Sequence, residues 1–479
     1  LPETFYWHDY ETWGTDPRRD RPAQFAGLRT DLELNAVSDE LVLFCRPSTD
    51  LLPQPDACLI TGITPLRAQR EGLNEAAFAA AIHRELAHPG TCGVGYNSLR
   101  FDDEVSRHLF YRNLIDPYGR EWRNGNSRWD LIDALRLAHA LRPEGVTWPE
   151  SDDGSTSFRL EALTAANGIR HGAAAHDALA DVRATVELAR LLKDKQPRLF
   201  GYALSLRDKR RVQALLEKAT PLLHVSARYP ATLGCVAPVL PVAPHPRNAN
   251  GVLVFDLRQD PANILDLSSE QIHERLFTPN PASSDEARRF PVKTLHVNRA
   301  PVLAPLSTLT GDAAARWAID AAQVRRHAAK LQQAADLRAR LVEAHRLGQQ
   351  SSPKDPDLML YSGGFICDAD RNELERLRHL APEALAGERS RLKDPRLPDM
   401  LWRYRARNWP ESLSEEERAD WDAFRLARLT EPEAGGGITL DGFEQRLAEL
   451  REAHTGAPDK LAVLDELEAW AEYVMDTGD

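Results

Sequence analysis

Residues 4–14, Thr-Phe-Tyr-Trp-His-Asp-Tyr-Glu-Thr-Trp-Gly, place two carboxylates two positions apart at the end of an apolar, aromatic run. The run reads as a buried strand. Period-two alternation puts Asp9 and Glu11 on one side of it and turns Tyr10 to the other side, into packing. Like charges held side by side at the edge of a core need something to neutralise them. A divalent metal does so, and oxygen-only ligands suit Mg²⁺ or Mn²⁺. A solvated strand end would carry the same two residues with no metal, so the remaining ligands and a base must be sought elsewhere in the chain.

The chain has 479 residues, enough for two or three domains that each bury a core. No stretch approaches the ~18 consecutive apolar residues of a membrane span. No secretory signal pattern opens the chain, and a start at Leu1 reads as a trimmed terminus. Cys45, Cys58, Cys92, Cys235 and Cys367 lie far apart with no Cys-x-x-Cys, which points to reduced thiols and a cytoplasmic protein. The net charge of -12 does not exclude a nucleic-acid partner, because binding follows local fields. Basic clusters occur at 207–211, 288–289, 325–326 and 402–407. In the last, Trp402-Arg403-Tyr404-Arg405-Ala-Arg407, aromatic and guanidinium groups alternate, a composition that suits bases and phosphates as well as a solvated helix face.

Up to about residue 195 the patterns alternate between strand and helix. Strands are expected at 5–12, 24–30, 40–46 and 91–96, and helices at 76–86, 103–113, 129–141, 158–167 and 177–193. That is an α/β domain with a mixed sheet. Gln196-Pro-Arg198 reads as a boundary. A helix at 208–218 then precedes short strands at 222–227, 235–240, 251–257 and 292–297, which suggest a small barrel or curled sheet. Helices follow at 321–346, residues 348–356 read as a linker, and the remainder is helical, with charged faces at 414–429 and 440–453. The expected division is 1–196, 197–350 and 351–479.

Two further segments bear on the chemistry. In Asn97-Ser-Leu-Arg-Phe101-Asp102 a strand ends and Asp102 stands where a helix begins. It could serve a metal, or simply cap the helix. In His176-Asp-Ala-Leu-Ala-Asp181, Asp181 lies one turn inside a helix and His176 precedes it on a small-residue loop. A catalytic His with a metal carboxylate fits there, as does an exposed His beside an acid favoured by the helix dipole.

Taken in order, Asp-x-Glu, Asn-x3-Phe-Asp and His-x4-Asp resemble the DEDDh exonuclease superfamily. The surrounding segments are similar to the bacterial exodeoxyribonuclease I family: 8–12, Asp20-Arg-Pro-Ala-Gln-Phe-Ala26, Leu59-Ile-Thr-Gly-Ile-Thr-Pro65, 96–105, Asn126-Ser-Arg-Trp-Asp130, 142–145, 224–226, 296–298 and 404–408. The resemblance implies an RNase H-like exonuclease domain, an SH3-like β-barrel and an all-α C-terminal domain. It implies processive 3′→5′ hydrolysis of single-stranded DNA to 5′-mononucleotides in DNA repair. Asp9, Glu11, Asp102 and Asp181 would be the metal carboxylates and His176 the general base. Two Mg²⁺ ions roughly 4 Å apart, with Mn²⁺ as a substitute, can lower the pKa of water, neutralise the phosphate and stabilise the leaving oxygen. A His near its ordinary pKa of about 6.5 can take the proton at neutral pH.

A single strand needs cations for its backbone and flat surfaces for its bases. Trp13 is the candidate for stacking near the scissile end. Arg100, Arg128, Arg159, Arg403, Arg405 and Arg407 are candidates for phosphate contacts. The family also engages the acidic tail of single-stranded DNA-binding protein. Arg142 and Tyr202 are candidates for that contact, although Thr220, Thr310 and Gln332 stand where cationic groups would be expected. One active site per chain makes a monomer the simplest assembly. The alternatives are another DEDDh nuclease acting on RNA or mixed 3′ ends, and a catalytically silent DNA-binding module.

Overall fold

The computed structural model describes residues 3–171, 177–278, 290–348 and 353–476. These form two compact units. The first takes residues 1–127, 172–183 and 351–479, and the second takes 128–171 and 184–350.

The first unit is built on β1 (Thr4–Thr12), β2 (Pro22–Thr30), β3 (Leu41–Phe44) and β4 (Thr91–Gly95), which lie in the order β3-β2-β1-β4. β1 and β2 run antiparallel and β1 and β4 parallel, so the sheet is mixed. β1 is central because its aromatic run can be buried on both faces: Phe5, Tyr6 and Trp7 are at most 1% exposed. Short helices α1 (Pro55–Thr61) and α2 (Pro65–Glu71) were not expected from the sequence. Each starts on a proline, whose fixed φ and missing N–H suit the first helical turn. α3 (Glu75–Leu86) is capped by the Asn74 side chain, and α4 (Asp102–Arg112) follows the turn after β4.

Residues 353–476 are helical, with long helices at Leu397–Asn408, Glu415–Thr430, Leu440–Ala453 and Pro458–Asp476. They share a core with the start of the chain. Trp13, Leu52 and Cys58 pack in one apolar cluster with Leu429, Phe443, Leu464 and Trp470.

The second unit holds a five-stranded antiparallel sheet in the order Val302–Pro305, Leu222–Val225, Val236–Pro244, Gly251–Asp256, Val292–His296. The strand at Val302–Pro305 was not anticipated, because four residues flanked by prolines carry almost no period. The expected helix at 129–141 is shorter. Ser127–Asp130 is a strand, and Asp130 caps a helix at Leu131–Leu141 by accepting from the Ile132 amide at 3.2 Å. The helices expected at 321–346 are Ala321–Gln333 and Ala335–Ala344, parted at Ala334.

Candidate metal centre

Asp9 and Glu11 lie at the C-terminal end of β1, beyond its last paired residue on β4, Trp7. Their cross-strand neighbours are Ala26 and Gln24 on β2. Residues directly opposite in a pair share a face, so Asp9, Glu11, Gln24 and Ala26 line one side of the sheet. A register irregularity follows Glu11. Tyr10 faces the other way: it is 4% exposed, its ring lies 4.9 Å from that of Phe25, and its hydroxyl is 3.0 Å from the Ser106 hydroxyl.

The third carboxylate comes from the helix Ala178–Lys195, and Asp181 stands in its first turn. Ligand oxygens of Asp9, Glu11 and Asp181 all lie within 4.8 Å of one another, and each residue is half-buried. Asp102 is 3% exposed, and its Oδ1 accepts the Tyr10 amide at 3.1 Å, tying the start of α4 to the backbone between Asp9 and Glu11. Asp102 stands outside that three-residue group, and its charge acts on it. The Asp9 carboxyl is pushed well above the usual range by burial, then by Asp102, Glu11 and Asp181. Glu11 is pushed up to about 8 by burial, then by Asp181, Asp102 and Asp177. Such shifts mean that the ionised cluster is unstable without a positive charge. An all-oxygen set of this kind fits a hard divalent cation. His176 lies outside the described residues; Asp177, next to it, accepts the Leu179 amide at 3.2 Å and caps the helix.

The expected strand contacts divide sharply. Arg100 is exposed, two residues before Asp102. Arg159 is exposed in the second unit. Arg128 is 7% exposed and donates to the Asn298 carbonyl at 3.1 Å. Trp13 is a correction: at 6% exposure it packs in the apolar core, leaving little surface for stacking. Arg403, Arg405 and Arg407 are a second correction. On the helix Leu397–Asn408, Arg403 and Arg405 are buried, the Arg407 side chain is covered too, and all three face acids. Arg403 pairs with Asp355 and, at 3.2 Å, with Asp357. Arg407 reaches Asp357 at 2.6 Å and Asp50 at 2.8 Å. Arg405 holds Glu417 at 2.5 Å and the Ser412 carbonyl at 2.7 Å. The sequence cluster was basic, but its counter-charges lie in other segments, one of them, Asp355, in what read as a linker.

Arg142 and Tyr202 both belong to the second unit. Arg142 donates to the Thr308 carbonyl at 3.3 Å, and the Tyr202 hydroxyl donates to the Leu303 carbonyl at 2.6 Å under the Arg211 guanidinium. Thr310 caps the helix Gly311–Arg316, and Gln332 donates to the Ala219 carbonyl, so two of the three neutral positions serve the fold. Sequence reasoning missed Gln24 and Asp50. Gln24 stood inside the quoted 20–26 segment, where its place opposite Glu11 was the available signal.

A mixed sheet that gathers carboxylates at the end of its central strand is the arrangement of an exonuclease domain, and the exonuclease family matches residues 6–189. The Exonuclease I SH3-like domain matches residues 207–346 and the Exonuclease I C-terminal domain residues 354–474. The chain belongs to the exodeoxyribonuclease I family. It is 44% identical over 475 residues to the exodeoxyribonuclease I of Escherichia coli K12, covering 98% of both chains. It is similar to the solved structure of a moderately thermophilic exonuclease I from Methylocaldum szegediense, with a TM-score of 0.94 and 50% identity over 99% of this chain and all of that one. The E. coli enzyme solved as a zinc-bound complex with single-stranded DNA gives a TM-score of 0.92 at 42% identity over 99% and 100% of the two chains. A complex of SSB and exonuclease I with an inhibitor gives 0.90 at 42% identity, with the same coverage. The exonuclease fold, the SH3-like domain and the helical C-terminus expected from the sequence are thus all present. No helix among the described residues is long and apolar enough to cross a membrane.

Proposed function

We propose that this chain hydrolyses single-stranded DNA from its 3′ end, processively, releasing 5′-mononucleotides, with two Mg²⁺ ions as cofactor and Mn²⁺ as a substitute. The observation that carries the reading is the convergence of Asp9, Glu11 and Asp181 oxygens within 4.8 Å. The DNA-bound E. coli relative supports the substrate.

Divalent ions held by these carboxylates would supply the positive charge that a phosphodiester gains need of as it is attacked. Asp9, Glu11 and Asp181 hold that charge against the strand end. Asp102, which fixes β1 through the Tyr10 amide, is the proposed fourth metal carboxylate and would serve the second ion. His176 is the proposed base, taking the proton of the attacking water at a ring nitrogen. Arg100 and Arg159, both exposed, are the proposed phosphate contacts, with Arg128 held nearer the interior. Arg142 and Tyr202 are proposed to meet the acidic tail of single-stranded DNA-binding protein, a reading supported by the relative solved with SSB. The further proposals are a cytoplasmic monomer working in repair, divided at 1–196, 197–350 and 351–479.

The test is release of label from a 3′-labelled DNA single strand in Mg²⁺, set against RNA of the same sequence and the DNA duplex. Mononucleotide release from the DNA strand alone is expected, with Asp9→Ala abolishing it while strand binding persists. Equal or faster turnover on RNA, or full turnover by the variant, would refute the reading.

A further inference from the structure

Gln24 is a polar side chain buried to 6% exposure in the middle of the sheet. Burying an amide there needs a reason, because polar groups are stable in a core only when hydrogen-bonded. Its backbone sits opposite Glu11, so its side chain shares the face of the acidic cluster. Its Oε1 accepts the backbone N–H of Ala178 at 3.3 Å.

Ala178 is the first residue of the helix that carries Asp181, and it is 0% exposed. The first N–H groups of a helix have no partner within it. Asp177 satisfies the next one, at Leu179, so the buried Ala178 amide depends on an acceptor from outside the helix. That acceptor comes from the strand position beside Glu11. Asp181 in turn follows Asp177 by one turn and donates its own amide to the Asp177 carbonyl at 3.1 Å. A single side chain thus spans from the strand holding Asp9 and Glu11 to the helix holding the third carboxylate.

We infer that Gln24 is a positioning residue for the metal centre: its acceptor oxygen fixes the entrance of the Ala178–Lys195 helix against β2 and so sets where Asp181 stands relative to Glu11. The inference rests on the metal reading of Asp9, Glu11 and Asp181. A glutamine suits the place better than the equally long glutamate, which would add a further negative charge to a crowded face. The rest of the helix has its own anchor, since Arg183 pairs with Glu40 on its exposed side. Loss of the Gln24 bond should therefore loosen the first turn without detaching the helix.

Two measurements test this on the full chain. Gln24→Met keeps the shape and removes the acceptor, and Gln24→Glu keeps the acceptor. Hydrogen exchange of the Ala178 amide, read without metal, should speed up about tenfold in Gln24→Met, on the order of one buried hydrogen bond. It should stay within about threefold of wild type in Gln24→Glu, since that bond is kept. Mn²⁺ titration followed by electron paramagnetic resonance should show about tenfold weaker binding in Gln24→Met, by the same bond, and no weakening in Gln24→Glu, which keeps the acceptor and adds a charge that attracts the cation. Should Gln24→Met fail to fold, Gln24→Asn, one methylene short of the amide, reads both arms. Unchanged exchange and metal binding in the variant lacking the acceptor would overturn the inference, as would equal damage in Gln24→Glu. An Asp9→Asn control separates the two failures: if it binds Mn²⁺ like wild type, the metal reading beneath the inference falls too.

Discussion

Asp50 is the hub of a buried ion network, and its neutralisation makes a demanding prediction. Its side chain is fully buried, with Arg21 at 3.2 Å, Arg407 at 2.8 Å and Arg428 at 3.3 Å. Burial alone would raise its pKa, yet these three arginines hold it well below the usual carboxylate range. In Asp50→Asn the shape is kept and the charge is lost. Arg407 retains Asp357 at 2.6 Å, and Arg428 retains Asp355 at 2.8 Å. Among the described residues Arg21 retains only Glu75, at 3.9 Å, and burial already pulls its pKa down to about 10. One stranded guanidinium therefore dominates the cost. Breaking a buried pair costs about 3–5 kcal/mol, and with two of three arginines still paired the expected loss is ~3 kcal/mol. The assay is urea denaturation followed by far-ultraviolet circular dichroism. The double variant Asp50→Asn/Arg21→Gln should recover at least ~1 kcal/mol, since contacting residues couple on that scale. A loss below ~0.5 kcal/mol for Asp50→Asn, or no recovery in the double variant, would refute the reasoning.

Further outcomes follow from the same geometry. Arg407→Ala should destabilise the fold while leaving the salt dependence of DNA binding unchanged; a slope reduced by ~0.7, the value for one phosphate contact on a single strand, would restore Arg407 to the strand path. Glu11 should make the metal-free protein pH-sensitive. Its carboxyl is raised from 4.5 to about 8 in the folded state, so that state binds an extra proton between those values and loses stability as pH rises through the window. Melting curves in chelator should fall across this range in wild type and flatten in Glu11→Gln, and a divalent cation should stabilise more at the alkaline end. Asp102→Ala orphans the buried Tyr10 amide and should cost about 1–3 kcal/mol, whereas Asp102→Asn keeps an acceptor and the stability while hydrolysis still falls; equal melting temperatures for the two would count against the Tyr10 bond.

The strand carrying Asp9 and Glu11 was legible because its aromatic run and its period of two agree with each other. The helix at Leu440–Ala453 was legible to the residue for the matching reason, a charged face in helical period bounded by Thr439 and His454. The Arg403–Arg407 cluster was not. A basic, aromatic helix reads the same whether its partners are phosphates or buried carboxylates, and the acids that neutralise it lie at Asp50, Asp355, Asp357 and Glu417. Trp13 was misread for the same cause: proximity to Glu11 in sequence says nothing of the C-terminal helices that cover it. Asp102 kept both meanings open in the sequence, and the bond to the Tyr10 amide explains why an acid at a helix start also bears on the strand.

The chemistry proposed for this chain depends on metal held at the acidic end of β1. Anomalous diffraction from crystals soaked in Mn²⁺ tests it most directly. A peak within coordination distance of the Asp9, Glu11 and Asp181 oxygens, lost in Asp9→Asn, is the predicted result. Density elsewhere, or none at that cluster in a folded wild-type crystal, would contradict it.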